Sequence, residues 1–246
     1  MSNPLLLSEN QQFVVVVPAA GVGKRMQASC PKQYLTINNQ SVLSHTVNRL
    51  LAHQRIAKVI VAISETDEYF AATSLAQNPD VFCVCGGKER VDSVLNGLKV
   101  MQQAEWVLVH DAARPCVTHQ DIDNLIDHCL VNNQGGVLAA PVVDTMKVAA
   151  KPQSNETGCL RVHNTIDRSC LWQAFTPQMF KTNELEQAIE QALANGVLIT
   201  DESSAIESAG LSSSLVLGRR DNIKITRPED LALARFYLNE QAKGKG

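Results

Sequence analysis

No basic excess marks this sequence. Its 22 Lys and Arg stand against 25 Asp and Glu over 246 residues, a formal charge of −3. A general nucleic-acid or membrane-surface binder would carry a surplus of cations, so any anion site must be a local concentration of Lys and Arg. Long apolar runs are missing as well. FVVVVPAAG, near the start, is far too short to span a bilayer, and the segment before it lacks the charged leader of a signal peptide. The seven Cys, at 30, 83, 85, 116, 129, 159 and 170, form no CxxC pair and match no zinc spacing. They predict a cytoplasmic protein with reduced, mostly buried thiols. No internal repeat is visible, and no Ser, His and Asp arrangement suggests a protein nucleophile.

What is present is an ordinary globular mix, 45% hydrophobic and 19% charged, long enough to bury a core without staples. Residues 13–17 (FVVVV) are an unbroken apolar, largely β-branched run, the mark of a strand buried on both faces. Val42, Leu43, Thr46, Val47, Leu50 and Leu51 then recur at helical spacing. A strand at 59–63, a helix at 65–75, a strand at 81–84, a helix face at 91–101 and a strand at 106–109 follow. This alternation predicts an α/β fold with a mostly parallel sheet and helices on both faces. It breaks after a strand at 137–140. Residues 141–165 read as a β arm inserted into one domain spanning 1–246. Regular structure resumes at 171–175, with a helix at 182–194 and a strand at 215–217. The last helix is opened by a capping box of Thr226 and Glu229, with Pro228 in its first turn; the final KGKG reads as frayed.

Ligands of open α/β sheets bind beyond the carboxyl ends of the strands, and four polar clusters fall there. The first, PAAGVGKRMQASCPKQY at 18–34, has glycines that allow backbone N–H groups to approach phosphate, with Lys24, Arg25 and Lys32 adding charge. It is not a Walker loop, because Arg25 follows Gly23-Lys24 and no glycine lies at the upstream position; nor is it a dinucleotide fingerprint, because Met26 stands where the third glycine belongs. The second, CGGKERVDSV at 85–94, joins two glycines to a helix start that favours anions. The third, HDAARP at 110–115, sets a carboxylate and an arginine three residues apart, fit for metal, hydroxyls or phosphate. An ordinary turn or a structural Asp–Arg pair accounts for each of these alone, and His110 reads as a packed histidine rather than an acid–base group. The fourth is distributed over DTMK at 144–147, Arg168, TPQ at 176–178, TDE at 200–202 and NIK at 222–224.

Taken together, PAAGxGxRM…PKQY, GGxxRxxSV, VHDAARP, DTMK, TPQ, TDESSA and DNIKITRPEDL, in this order from Phe13 to Leu238, resemble the 2-C-methyl-D-erythritol 4-phosphate cytidylyltransferases of the non-mevalonate isoprenoid pathway. The resemblance implies a Rossmann-like nucleotidyltransferase fold and a homodimer whose β arms interlock. It implies a reaction of CTP with the methylerythritol phosphate to give a CDP-alcohol and pyrophosphate, with Mg²⁺. Carried over by position, Pro18, Ala19, Ala20, Gly21, Gly23 and Arg25 would embrace the triphosphate, with Lys32 reaching the α-phosphate; Arg25 and Lys32 would be the catalytic pair. Gly87 and Ser93 would contact cytosine and ribose. Asp111, Arg114, Thr145, Arg168, Thr176, Thr200 and Lys224 would line the polyol-phosphate pocket, which would draw on both subunits. Asp111 is also a candidate metal ligand; otherwise the ion is held by the CTP phosphates. Two alternatives stay open: the same chemistry on another polyol phosphate such as ribitol 5-phosphate, and a nucleotide-binding regulatory module without turnover.

Overall fold

Hydrophobic side chains that point alternately to the two faces of β1, β4 and β6 give this chain a core on either side of a central sheet. The computed structural model describes residues 11–21, 30–101, 104–150 and 160–244. β1 (Phe13–Pro18) leads to a short hairpin of β2 (Thr36–Ile37) and β3 (Gln40–Ser41), then α1 (Val42–Leu51) and β4 (Ile56–Ile63). β5 (Val81–Cys85), α2 (Arg90–Lys99), β6 (Trp106–Val109), α3 (His119–Asn132) and β7 (Gly136–Pro141) follow. β8 (Met146–Ala149) and β9 (Val162–Ile166) form the arm. The chain closes with β10 (Trp172–Lys181), α4 (Thr182–Ala194), α5 (Glu202–Ser208), β11 (Ser214–Leu217) and α6 (Pro228–Lys243).

The seven-stranded sheet runs β11-β7-β10-β6-β1-β4-β5. Every pair is parallel except those of β10, which runs antiparallel to both β6 and β7. One face carries Val15, Val17, Val59, Val61 and Leu108 against α1 and α3. The other carries Val16, Ile60, Val107 and Val109 against α2, α4 and α5. A third cluster seats Ala234 and Leu238 of α6 on Ile37, Val42 and Ile225. The fold is therefore the mostly parallel α/β arrangement with helices on both faces that the alternation predicts.

Some boundaries differ from the sequence reading. Residues 65–75 are not a helix; they hold two 3₁₀ turns, Phe70–Ala72 and Ser74–Gln77. The Asp67 carboxylate accepts the N–H groups of Tyr69 and Phe70 and starts a tight turn there. β10 continues past Pro177, a residue that reads as a strand breaker. Its pairing with β7 jumps from Ala174 to Gln178, so proline is asked for no ladder bond. At α6 the capping carboxylate is Asp230 rather than Glu229. It accepts from the Thr226 N–H and hydroxyl and from the Arg227 N–H at 2.8, 3.0 and 2.8 Å. Nor, among the described residues, are the thiols mostly buried. Cys116 and Cys129 are, but Cys83, Cys85 and Cys170 are exposed, the first two because β5 is an edge strand. A two-stranded arm is formed by β8 and β9, with Lys147 opposite Thr165 and every residue of β9 exposed; residues 151–159 and the last two residues lie outside the described set.

Close approach of α2 to β1 rests on one missing side chain. A Cβ on Gly97 would come within 2.5 Å of the Val16 methyl carbon, and Val16 is fully buried. Gly97→Ala should gain up to about 1 kcal/mol of helix propensity and lose about 1–3 kcal/mol to overpacking. Urea denaturation should therefore give a net loss of stability. A net gain would show that the α2–β1 contact is looser than described.

Candidate active site

Three parallel strands end at the same edge of the sheet, β6 beside β1 and β5 one strand further out beyond β4, and each end begins a loop. β1 runs into 18–21, β5 into Gly86-Gly87 and β6 into 110–115. The loops are tied to the sheet by the Ala19 N–H on Ala62 O (2.8 Å), the Gly86 N–H on Ile63 O (2.7 Å) and the His110 N–H on Val16 O (2.9 Å). Gly86 lets the first two meet, since a Cβ there would lie 2.5 Å from the Ala20 methyl and 2.9 Å from the Ser93 hydroxyl.

A cleft of about 170 Å³ opens between them, lined by Pro18, Ala19, Ala20, Gly21, Lys32, Gly87 and Ser93. These are seven of the residues assigned to CTP; the remaining two, Gly23 and Arg25, lie outside the described residues. The buried Gln33 donates to Ala19 O at 2.6 Å and so fixes the loop from below. Lys32 donates from Nζ to Ile225 O at 3.1 Å, which holds the ammonium at the cleft wall. Ser93 accepts the Gly87 N–H at 3.0 Å, shaping the second glycine loop rather than only facing a ligand.

A neighbouring cleft of about 220 Å³ is lined by Arg114, Thr176, Gln178, Thr200 and Asp201, and shares Arg90, Asp111 and Lys224 with the first. The five polyol-phosphate candidates Asp111, Arg114, Thr176, Thr200 and Lys224 are thereby brought together. Thr145 and Arg168 are not: both are exposed at the base of the arm, where Arg168 donates to Val143 O.

Asp111 stands at the junction, 6% exposed. Its Oδ1 accepts from Arg90 Nε at 3.0 Å, and its Oδ2 meets Lys224 Nζ at 2.8 Å and Arg114 Nε at 3.4 Å. Burial alone would raise its pKa, but Arg90, Lys224 and Arg114 together hold the carboxyl far below the usual range, so it stays charged. Arg114 is fixed in turn by a 2.7 Å bond to Asn222 O and by the Phe175 ring, 5.3 Å away. Arg90 completes the cluster by a two-pronged bond to Glu202, 2.6 and 3.0 Å, and Glu202 is 2% exposed. Neither Arg90 nor Glu202 carried a role in the sequence reading, although each sits inside a motif.

His110 is fully buried and fully used. Nε2–H donates to Arg114 O at 3.0 Å and Nδ1 accepts from the Thr176 hydroxyl at 3.1 Å. The Thr176 oxygen accepts in turn from the Asp111 N–H at 3.0 Å, so this bonding pattern assigns a neutral ring of one tautomer. Thr176 therefore lines the second cleft with its hydroxyl already engaged inside the protein. Burial pushes the His110 pKa down from 6.5 to about 4. The folded protein refuses a proton that the unfolded chain accepts, so this stabilisation is full above pH 6.5 and is lost as pH falls toward 4, up to about 3 kcal/mol. Urea denaturation at pH 7 and pH 5 should show a smaller pH dependence in His110→Gln than in wild type. An identical dependence in both would contradict the buried neutral ring.

Among the described residues no group of three His, Cys, Asp or Glu side chains could hold a metal, and Asp111 is already engaged by three cations. No described helix is long and apolar enough to cross a membrane.

The family model for 2-C-methyl-D-erythritol 4-phosphate cytidylyltransferase (IspD) matches residues 13–240. The protein of that name from Colwellia psychrerythraea is 58% identical over 240 residues, covering 96% of this chain and 98% of its own. That from Vibrio parahaemolyticus is 55% identical over 239 residues, covering 96% and 99%. Among solved structures, the cytidylyltransferase of Francisella tularensis is 32% identical with a TM-score of 0.76, covering 92% of this chain and 100% of its own. The Thermus thermophilus structure is 26% identical with a TM-score of 0.74, covering 93% and 100%. The matched stretch contains every strand of the central sheet and the residues of both clefts, and the chain belongs to the 2-C-methyl-D-erythritol 4-phosphate cytidylyltransferase family.

Proposed function

We propose that this chain transfers the cytidylyl group of CTP to 2-C-methyl-D-erythritol 4-phosphate, giving the CDP-alcohol and pyrophosphate. The observation that carries this reading is the pair of adjoining clefts whose shared wall is Arg90, Asp111 and Lys224. A glycine-lined cleft takes the nucleotide, with Gly87 and Ser93 at the base and ribose and residues 18–21 along the triphosphate. The second cleft takes the acceptor, with Arg114 and Lys224 toward its phosphate and Thr200 toward its hydroxyls.

An acceptor phosphate oxygen attacks the α-phosphorus. As that P–O bond forms, the bond to the β-phosphate oxygen breaks and pyrophosphate leaves in line. The acceptor oxygen is already ionised at neutral pH, which removes the need for a general base. The barrier is chiefly the approach of two polyanions, so the protein's work is positioning and charge neutralisation. Lys32 and Arg25 stabilise charge on the α-phosphoryl oxygens. A divalent ion such as Mg²⁺, held by the CTP phosphates, would act as their counter-ion and would neutralise part of that charge. Asp111, holding three cations in place, orders the acceptor side rather than taking a proton.

The arm fits a homodimer. Leu160, Val162 and Met146 are exposed apolar side chains along it, with Trp172 of β10 exposed near its base, and an arm from a second copy would bring its Thr145 and Arg168 to the acceptor cleft. Reduced exposed thiols and the biosynthetic role fit a cytoplasmic location.

Pyrophosphate release from CTP and Mg²⁺, measured with methylerythritol phosphate and ribitol 5-phosphate in parallel, should occur with the first. The same preparation should sediment at twice the 26.8 kDa chain mass. Release with ribitol phosphate alone would overturn the acceptor, and CTP binding without release would support a regulatory module. Lys32→Ala should lower kcat by about 10²–10³, whereas Lys224→Ala should mainly raise KM for the acceptor. A Lys32→Ala enzyme within about threefold of wild type would remove its transition-state role.

A further inference from the structure

Arg90 opens α2 three residues after the glycine pair and lines both clefts. Its fork is spent on Glu202 and its Nε on Asp111. Glu202 opens α5, the helix that follows Thr200 and Asp201 in the acceptor wall, and lines neither cleft itself. One guanidinium thus ties together the nucleotide loop, the carboxylate at the junction and the acceptor wall, across 112 residues of sequence.

Stability alone is a poor account of this pair. Removing a carboxylate and a guanidinium from water costs several kcal/mol per ion, and apolar replacements of buried ion pairs are often as stable. What a planar, two-pronged bond supplies is orientation. We propose that Arg90 is a positioning residue for transfer and that Glu202 sets its orientation. With both terminal nitrogens held by Glu202, Arg90 presents Nε alone to Asp111 Oδ1. Oδ2 is then left to Lys224 and Arg114, which fixes the spacing of the two cations facing the acceptor phosphate. Glu202 also cancels one positive charge, so the cluster of three cations and two carboxylates keeps one net charge for the incoming anion. This inference rests on the assignment of the second cleft to the acceptor.

The test uses full-length Glu202→Gln, which keeps size but loses the charge, and Arg90→Lys, which keeps the charge but cannot bridge both carboxylates. Steady-state rates are measured with each substrate varied in turn, beside wild type. Each variant should raise acceptor KM by about tenfold or more while leaving CTP KM within about threefold. The double variant should be no worse than the poorer single one, because the two side chains act as one unit. If Glu202→Gln fails to fold, Arg90→Lys carries the same comparison. A parallel rise in both KM values, an acceptor KM within about threefold of wild type, or defects that multiply in the double variant would overturn the positioning role. Wild type inert with CTP and methylerythritol phosphate would instead sink the functional reading, and the inference with it.

Discussion

Asp111 is a carboxylate nearly closed off from water and touched by Arg90, Arg114 and Lys224. Burying that charge is costly, and its attraction to three cations offsets the cost only while all of them stay in place. Removing any one weakens that offset and takes away the net positive charge at the junction of the two clefts. The cations are therefore held in a fixed array before any substrate arrives. In the proposed reaction an acceptor phosphate would meet charges already oriented, with little rearrangement needed as the transition state forms.

The fold supplies this array from distant parts of the chain. The loop after β6 delivers Asp111 and Arg114, the start of α2 delivers Arg90, and the segment before α6 delivers Lys224. The antiparallel β10 passes beside β6 and places Thr176 under the Asp111 N–H. The bond from Asn222 to Thr176 O at 2.7 Å ties the Lys224 segment to the same strand. Packing beneath is tight, with Val16 against Gly97 and Ala20 against Gly86. The loops consequently stand on a rigid sheet edge, as transfer between two separately bound substrates requires.

Much of this was legible in the sequence because each signal was local. Apolar runs such as 13–17 and 106–109 announced strands buried on both faces, and glycine with cation clusters at their ends announced anion loops. The arm was legible from a loss of helical period. Less local features were not. Two 3₁₀ turns replaced a helix at 65–75 because Asp67 caps a tight turn that residue periodicity does not record. The sequence reading ended this strand at 175, whereas β10 runs on to Lys181 with a ladder that skips Pro177. The pairing of Arg90 with Glu202 depends on which strand ends become neighbours, and spacing along the chain cannot disclose that. One signal could have raised it: each is a charged residue beside a helix start in a motif that otherwise builds the site.

Two clefts that share a wall of fixed charges imply direct transfer, with no covalent stage on the protein. The configuration at phosphorus reports on this most directly. CTP made chiral with sulfur at the α-phosphate, given to wild-type enzyme with methylerythritol phosphate, should yield a CDP-alcohol of inverted configuration. Retention would mean two displacements through a protein-bound nucleotide, and would contradict in-line attack by the acceptor phosphate across the Asp111 cluster.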